Sequence, residues 1–124
     1  MNKFDVFTSH KCQYYCKRLE VTVPDIIFRE KEYNLFNEYL KQLYKDRYVP
    51  IKVDGTLRGA SSLAQETIFI NLDSEEHKTY DDVEETLIHE LVHYTKPSYK
   101  HYTKRFQECC KKLKQGRVKN GRFF

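Results

Sequence analysis

His89-Glu90-Leu91-Val92-His93 is the stretch on which the reading of this 124-residue chain turns. Positions i and i+4 of an α-helix lie one turn apart on one face, so two imidazoles at this spacing can each point a nitrogen at a single ion. Glu90 lies roughly 100° round the helix from His89, beside such an ion but off the line of its ligands. The segment ahead, Thr79-Tyr80-Asp81-Asp82-Val83-Glu84-Glu85-Thr86, supports the helix that this geometry requires. Asp81 is an N-cap candidate with Glu84 three residues on, and the four acids suit the positive end of a helix dipole. Val83, Leu87, Ile88, Leu91, Val92 and Tyr94 fill an apolar arc of roughly 180°, while Thr86, His89 and His93 fall together in the gap. The ligand face is separate from the core face.

H-E-x-x-H on a helix is a zinc-peptidase pattern, in which both histidines ligate and the glutamate is general base. Catalytic zinc takes a third protein ligand and keeps its fourth position for water. Pro97 stops the helix, Ser98-Tyr99-Lys100 forms a loop, and His101 stands where a returning helix begins. That helix has Tyr102, Phe106, Cys109, Cys110 and Leu113 as its buried stripe. Glu108 is the other candidate ligand; His101 is favoured because it opens the helix, whereas Glu108 lies two turns inside. The expectation is one Zn2+ per chain on His89, His93 and His101, with Glu90 taking a proton from water attacking a peptide carbonyl. Tyr94, Tyr99 and Tyr102 are candidate oxyanion donors, though packing is the plainer role for each.

At 40% hydrophobic and 15% aromatic residues the chain has the composition of one folded domain. No apolar run approaches the roughly 20 residues of a membrane span, so a soluble intracellular protein is expected. Cys12, Cys16, Cys109 and Cys110 do not form a secreted disulfide framework and should be thiols. His10 with Cys12 and Cys16 lacks the usual C-x-x-C metal spacing, and helix packing is the plainer role for the two cysteines.

The net charge of +4 is unevenly placed. Residues 100–124 hold nine Lys/Arg against one acid, a net +8, and the preceding 99 residues hold 13 against 17. The domain is therefore read as residues 1–114, followed by a basic C-terminal tail, 115–124. Lys111, Lys112, Lys114, Arg117, Lys119 and Arg122, with Phe123 and Phe124 at the end, suit contact with DNA or RNA phosphates and stacking on bases. A solvated helix face and a frayed terminus explain the same run equally well.

In chain order, Phe4 to Lys17 is weakly helical, and Val21 to Phe28 is extended, with Pro24 confining it to a sheet edge or a turn. Tyr33, Phe36, Leu40 and Leu43 give Lys31–Lys45 a helical apolar stripe. Tyr48 to Val53 reads as a strand, Asp54-Gly55 as a type I′ turn, and Thr56 to Ala64 as the return strand, with Gly59 marking a bulge. Thr67 to Leu72 alternates most clearly, with Ile68, Ile70 and Leu72 on one face. The fold class expected is α+β: a small antiparallel-rich sheet packed on the metal helix, and a C-terminal helix carrying the third ligand.

The segment from Leu57 to Lys114 resembles the SprT-like metallopeptidases, a zincin family. The resemblance rests on Leu87-Ile88-His89-Glu90-Leu91-Val92-His93, on His101 with Phe106 in an H-x-x-x-x-F pattern, and on Arg58-Gly59 followed by Ile68-Phe69-Ile70-Asn71-Leu72. Tyr102 replaces a frequent glycine, the gap from His93 to His101 is short, and no C-terminal zinc ribbon follows. The resemblance implies a protease whose substrates include proteins bound or crosslinked to DNA. The metzincin pattern is excluded, since Lys96 and Tyr99 stand where it needs a glycine and a histidine. Two alternatives differ in kind: an ImmA-like repressor-cleaving peptidase, which would place Glu108 on the metal, and a non-catalytic metal- and nucleic-acid-binding module. The second leaves Glu90 without a purpose, because a structural zinc site is closed by a fourth ligand and needs no base.

Overall fold

The computed structural model describes residues 3–50, 53 and 56–124. Helix α1 (Lys3–Leu19) leads into strand β1 (Asp25–Ile27), helix α2 (Glu30–Tyr44) and a 3-10 turn at Lys45–Arg47. Strands β2 (Gly59–Ser62) and β3 (Thr67–Ile70) precede helix α3 (Tyr80–Thr95), helix α4 (Lys104–Lys114) and the short strands β4 (Val118–Lys119) and β5 (Arg122–Phe123). This is a small mixed α+β fold.

β3 is the middle strand of a three-stranded sheet ordered β1-β3-β2, and all four of its residues are buried. Its alternation sends Ile68 and Ile70 into the main core with α1, α3 and α4, while Phe69 faces α2. There the Tyr33 ring stacks on Phe69 at 4.3 Å. The sheet is therefore a middle layer, with α2 on one face and the other helices on the opposite face. β2 runs antiparallel to β3, with Ser61 opposite Ile68, but β1 runs parallel to it, with Ile26 opposite Ile68. The sheet is mixed and not antiparallel-rich, because the chain crosses over through α2 before it supplies β2 and β3. Pro24, which has no N–H to donate, directly precedes the edge strand β1.

The hairpin expected around Asp54-Gly55 is not the one that forms among the described residues. Tyr48, Val49, Pro50 and Val53 are not in a strand, and Val49 is 83% exposed. Ile51, Lys52 and the Asp54-Gly55 turn lie outside the described residues. β2 takes β3 as partner instead, through a Leu63–Glu66 turn in which the Glu66 N–H donates to the Leu63 carbonyl.

α1 buries Thr8, Cys12, Tyr15, Cys16 and Leu19, one face at three- and four-residue spacing. The Cys12 and Cys16 sulfurs lie 3.9 Å apart in the core, and His10 is exposed on another face. Tyr15 Oη donates to Glu84 Oε2 at 2.8 Å, and Lys11 Nζ reaches the same oxygen at 3.2 Å, so α1 is pinned to the back of α3. The basic run beyond residue 114 folds too. β4 and β5 pair as an antiparallel hairpin, Val118 is only 2% exposed, and the Gly121 N–H donates to the Arg18 carbonyl of α1. No helix among the described residues is long and apolar enough to cross a membrane.

Candidate metal centre and active site

α3 starts two residues earlier than its acids suggest. Thr79, not Asp81, is the N-cap: its hydroxyl accepts from Asp82 N, and the Asp82 carboxylate accepts from Thr79 N at 2.9 Å. Hydrogen bonds from the Lys78 N–H and then the Thr79 N–H hold the Asp82 carboxyl below its ordinary pKa. At the other end the Lys96 N–H bonds to the Val92 carbonyl, Pro97 follows, and two successive turns carry the chain to Thr103. Thr103 caps α4, its hydroxyl accepting from Phe106 N at 3.3 Å. His101 lies in the turn just before that cap.

This path brings three imidazoles together. His89 and His93 face each other with Nε2 atoms 3.1 Å apart, and a nitrogen of His101 completes a set lying within 4.8 Å of one another. Zinc bound tetrahedrally at about 2.0–2.1 Å needs its nitrogen ligands about 3.4 Å apart, so the donor set fits after a small inward turn of exposed His101. The Phe106 ring walls the site, with its centroid 4.9 Å from that of His89 and 4.5 Å from that of His93. Burial, then the neighbouring imidazoles, pull the His89 pKa down to about 4 and lower that of His93. Both shifts favour the neutral imidazole, the form in which histidine ligates. The three histidines are close enough to bind a metal ion.

Glu90 is buried on the adjacent face of α3, against β2. Burial pushes its carboxyl up to about 7, opposed by a hydrogen bond from the Ser61 hydroxyl and by the charge of Arg58. Small residues at Gly59-Ala60-Ser61-Ser62 let the strand approach this closely. Gly59 sits in regular pairing with Ile70 and is not a bulge; it is a point of close approach.

Asn71 sets how β2 enters. Its N–H donates to the Arg58 carbonyl and its side-chain amide to the Leu57 carbonyl, both at 2.8 Å. Buried His77 supports this corner: Nδ1–H donates to the Asn71 carbonyl at 2.6 Å, and Nε2 accepts from the Thr86 hydroxyl at 2.7 Å. Sequence reading quoted Asn71 as part of the β3 run without giving it a role, and missed His77, which belongs to no motif. The available signal was a histidine placed between a strand and a cap, away from the metal motif.

A cleft of about 750 Å³ opens over the site, with His89, Glu90, His101 and Phe106 in its lining. Arg58 approaches from β2 and Lys111 and Lys114 from α4. The basic run is thus divided, because helical rotation sends successive residues of α4 to different sides. Lys112 and Arg122 line a second groove with Lys96, Tyr99, Lys104, Arg105 and Phe123, and the Arg105 guanidinium lies over the Tyr99 ring at 4.8 Å. Arg117 lies over the Phe124 ring at 5.9 Å, and Lys119 is exposed on β4. Glu108 lines the second groove, away from the histidines. Tyr94 is buried in the core, Tyr99 is in the second groove, and Tyr102 is 71% exposed beside His101 instead of joining the buried stripe of α4. No protein-family model, curated protein or solved structure matches this chain.

Proposed function

We propose that this chain is a zinc-dependent endopeptidase of the SprT-like kind, hydrolysing protein substrates. The observation that carries the reading is the pairing of three convergent imidazoles, His89, His93 and His101, with a buried carboxylate, Glu90, that belongs to the same helix but not to the ligand set. His89, His93 and His101 would hold the ion. When bound, zinc supplies a divalent charge that makes water a competent nucleophile at neutral pH and polarises a peptide carbonyl. Glu90 accepts the proton of the attacking water and returns it to the departing amine, while Ser61 orients the carboxylate through its hydroxyl. Among the described residues nothing pairs with the outer edge of β2, so an extended substrate has an open strand beside Glu90 to lie against.

Glu90→Gln tests this. The amide is nearly isosteric, so the variant stays folded and keeps its zinc content. Hydrolysis of an unfolded protein falls by about 10²–10⁴-fold, as expected for a lost general base. An unaltered rate in the zinc-loaded variant overturns the assignment, and a wild type that cleaves no protein moves the metal-binding-module reading ahead.

The second groove favours an additional reading, contact with DNA or RNA. Lys96, Lys104, Arg105, Lys112 and Arg122 supply charge, and Phe123 supplies a ring. This face is the far side of α4 from the cleft, so a nucleic acid held there leaves the cleft free for protein.

A further inference from the structure

Resting on the peptidase reading, we infer that the cleft selects polypeptide with acidic side chains a few residues from the bond cut, and that Lys111 and Lys114 are the specificity-determining residues. Gln107, Cys110, Lys111 and Lys114 all line the cleft, and their spacing puts them on one face of α4. Arg58 opposes them from the β2 wall. Glu85 and Glu90 are the acids among the described lining residues, and Glu90 is committed to the chemistry. With Glu90 set aside, three cations stand against one acid, Glu85, in the described lining.

Arg58 already acts on Glu90 through its charge. Arg58, Lys111 and Lys114 are exposed, and none of them has an ion pair among the described residues. Their contrast is Lys11, whose charge is spent on Glu84 behind the metal helix. Position along the helix sets the register. Phe106 touches the metal site, and at about 1.5 Å per residue Lys111 and Lys114 lie about 7–12 Å further along α4. An extended substrate advances about 3.3 Å per residue, so its second to fourth residues from the scissile bond pass these ammonium groups. A carboxylate there gains an ion pair at little desolvation cost, because both partners stay wet.

The test uses the zinc-loaded full chain and a pool of random extended peptides, with the cut sites sequenced. Asp and Glu should be enriched about three- to tenfold at positions two to four on one side of the cut, the range for one or two exposed ion pairs. Salt should reduce the enrichment. In Lys111→Glu/Lys114→Glu the same positions should turn to Lys and Arg, while Lys111→Arg/Lys114→Arg keeps the acidic preference. Melting temperature and zinc content of each variant establish that the fold is intact. Cleavage with no positional enrichment, or an enrichment that the reversal leaves in place, overturns the inference and leaves the peptidase reading standing. Absence of all cleavage overturns both. If the charge reversal instead abolishes binding of a single-stranded oligonucleotide while acidic and neutral peptides are cut alike, the lysines serve a phosphate backbone and the inference fails.

Discussion

A β-carbon added to Gly59 would lie 3.2 Å from Cγ of Glu90, so the strand beside the cleft rests directly on the side chain assigned as general base. The same atom would lie 2.7 Å from the Phe69 carbonyl oxygen and 3.1 Å from Thr86 Cγ2. Backbone on the neighbouring strand cannot yield as a side-chain tip can. Gly59→Ala should therefore destabilise the protein by about 1–3 kcal/mol, the usual range for overpacking, seen as a lower denaturation midpoint in urea. Hydrolysis should fall further than the unfolded fraction explains, because β2 must shift away from Glu90. An unchanged midpoint would mean that the strand has room the geometry denies.

Zinc retention separates the two candidate third ligands. His101→Ala should lose affinity by more than the 10–100-fold typical of residues that merely support a ligand, measured by competition with a chromogenic chelator. Glu108→Ala, altered in the groove on the other side of α4, should bind zinc like the wild type. The reverse result would transfer the site to the carboxylate.

Acid should weaken the metal-free fold, and the sign follows from the histidines. His77, His89 and His93 have folded pKa values below the ordinary histidine value, His77 chiefly through burial. The folded state then holds fewer protons, so their contribution is present above about pH 6.5 and is lost as pH falls below it, for His89 through about 4. Glu90 acts oppositely: raised to about 7, it contributes below the ordinary carboxylate range and loses that contribution as pH rises through 7. In chelator-treated Glu90→Gln only the histidine effect remains, and urea midpoints should decline steadily from pH 7 to pH 4. His77→Gln should make that decline shallower. Bound zinc should leave over the same interval, since its ligands must be neutral.

For the second groove the readout is salt dependence. Lys104→Gln/Arg105→Gln/Lys112→Gln should weaken single-stranded oligonucleotide binding and reduce the slope of log K against log salt by about 2, at roughly 0.7 for each phosphate that is no longer neutralised. Substitution is the right perturbation here. Cutting the chain within α4 would remove Leu113 and Val118, which are 1% and 2% exposed, and so would damage the core along with the charge.

The site was legible in the sequence because it is local. His89, Glu90 and His93 lie on one helix, Pro97 ends that helix, and the chain has only a few residues in which to bring His101 back. β3 was equally clear, since strict alternation divides Ile68 and Ile70 from Phe69. Strand pairing was not legible, because a period of two says which face a residue takes and nothing about which strand lies alongside. Thus the pairing of β1 with β3, which sets Asp25 beside Thr67, was hidden, and Asp54-Gly55 drew attention to a nearer partner. The cap was misplaced because Thr79, Asp81 and Asp82 are all capping residue types and only the backbone decides among them. Charge misled in a different way: nine cations close in sequence suggest one patch, yet α4 sends Lys111 and Lys114 to one cleft and Lys104, Arg105 and Lys112 to the other.

α3 is gripped by α1 behind it, by β2 and β3 alongside, and by Phe106 in front, and most of its residues are buried. A helix so enclosed keeps its side chains in register whether or not a ligand is present. His89 and His93 therefore form a rigid two-toothed jaw, its bite fixed when the chain folds, whereas His101 rides on a turn at the surface. A metal ion held here would thus take two donors from an enclosed helix and one from an exposed turn, and the turn is the part that would move to complete the set.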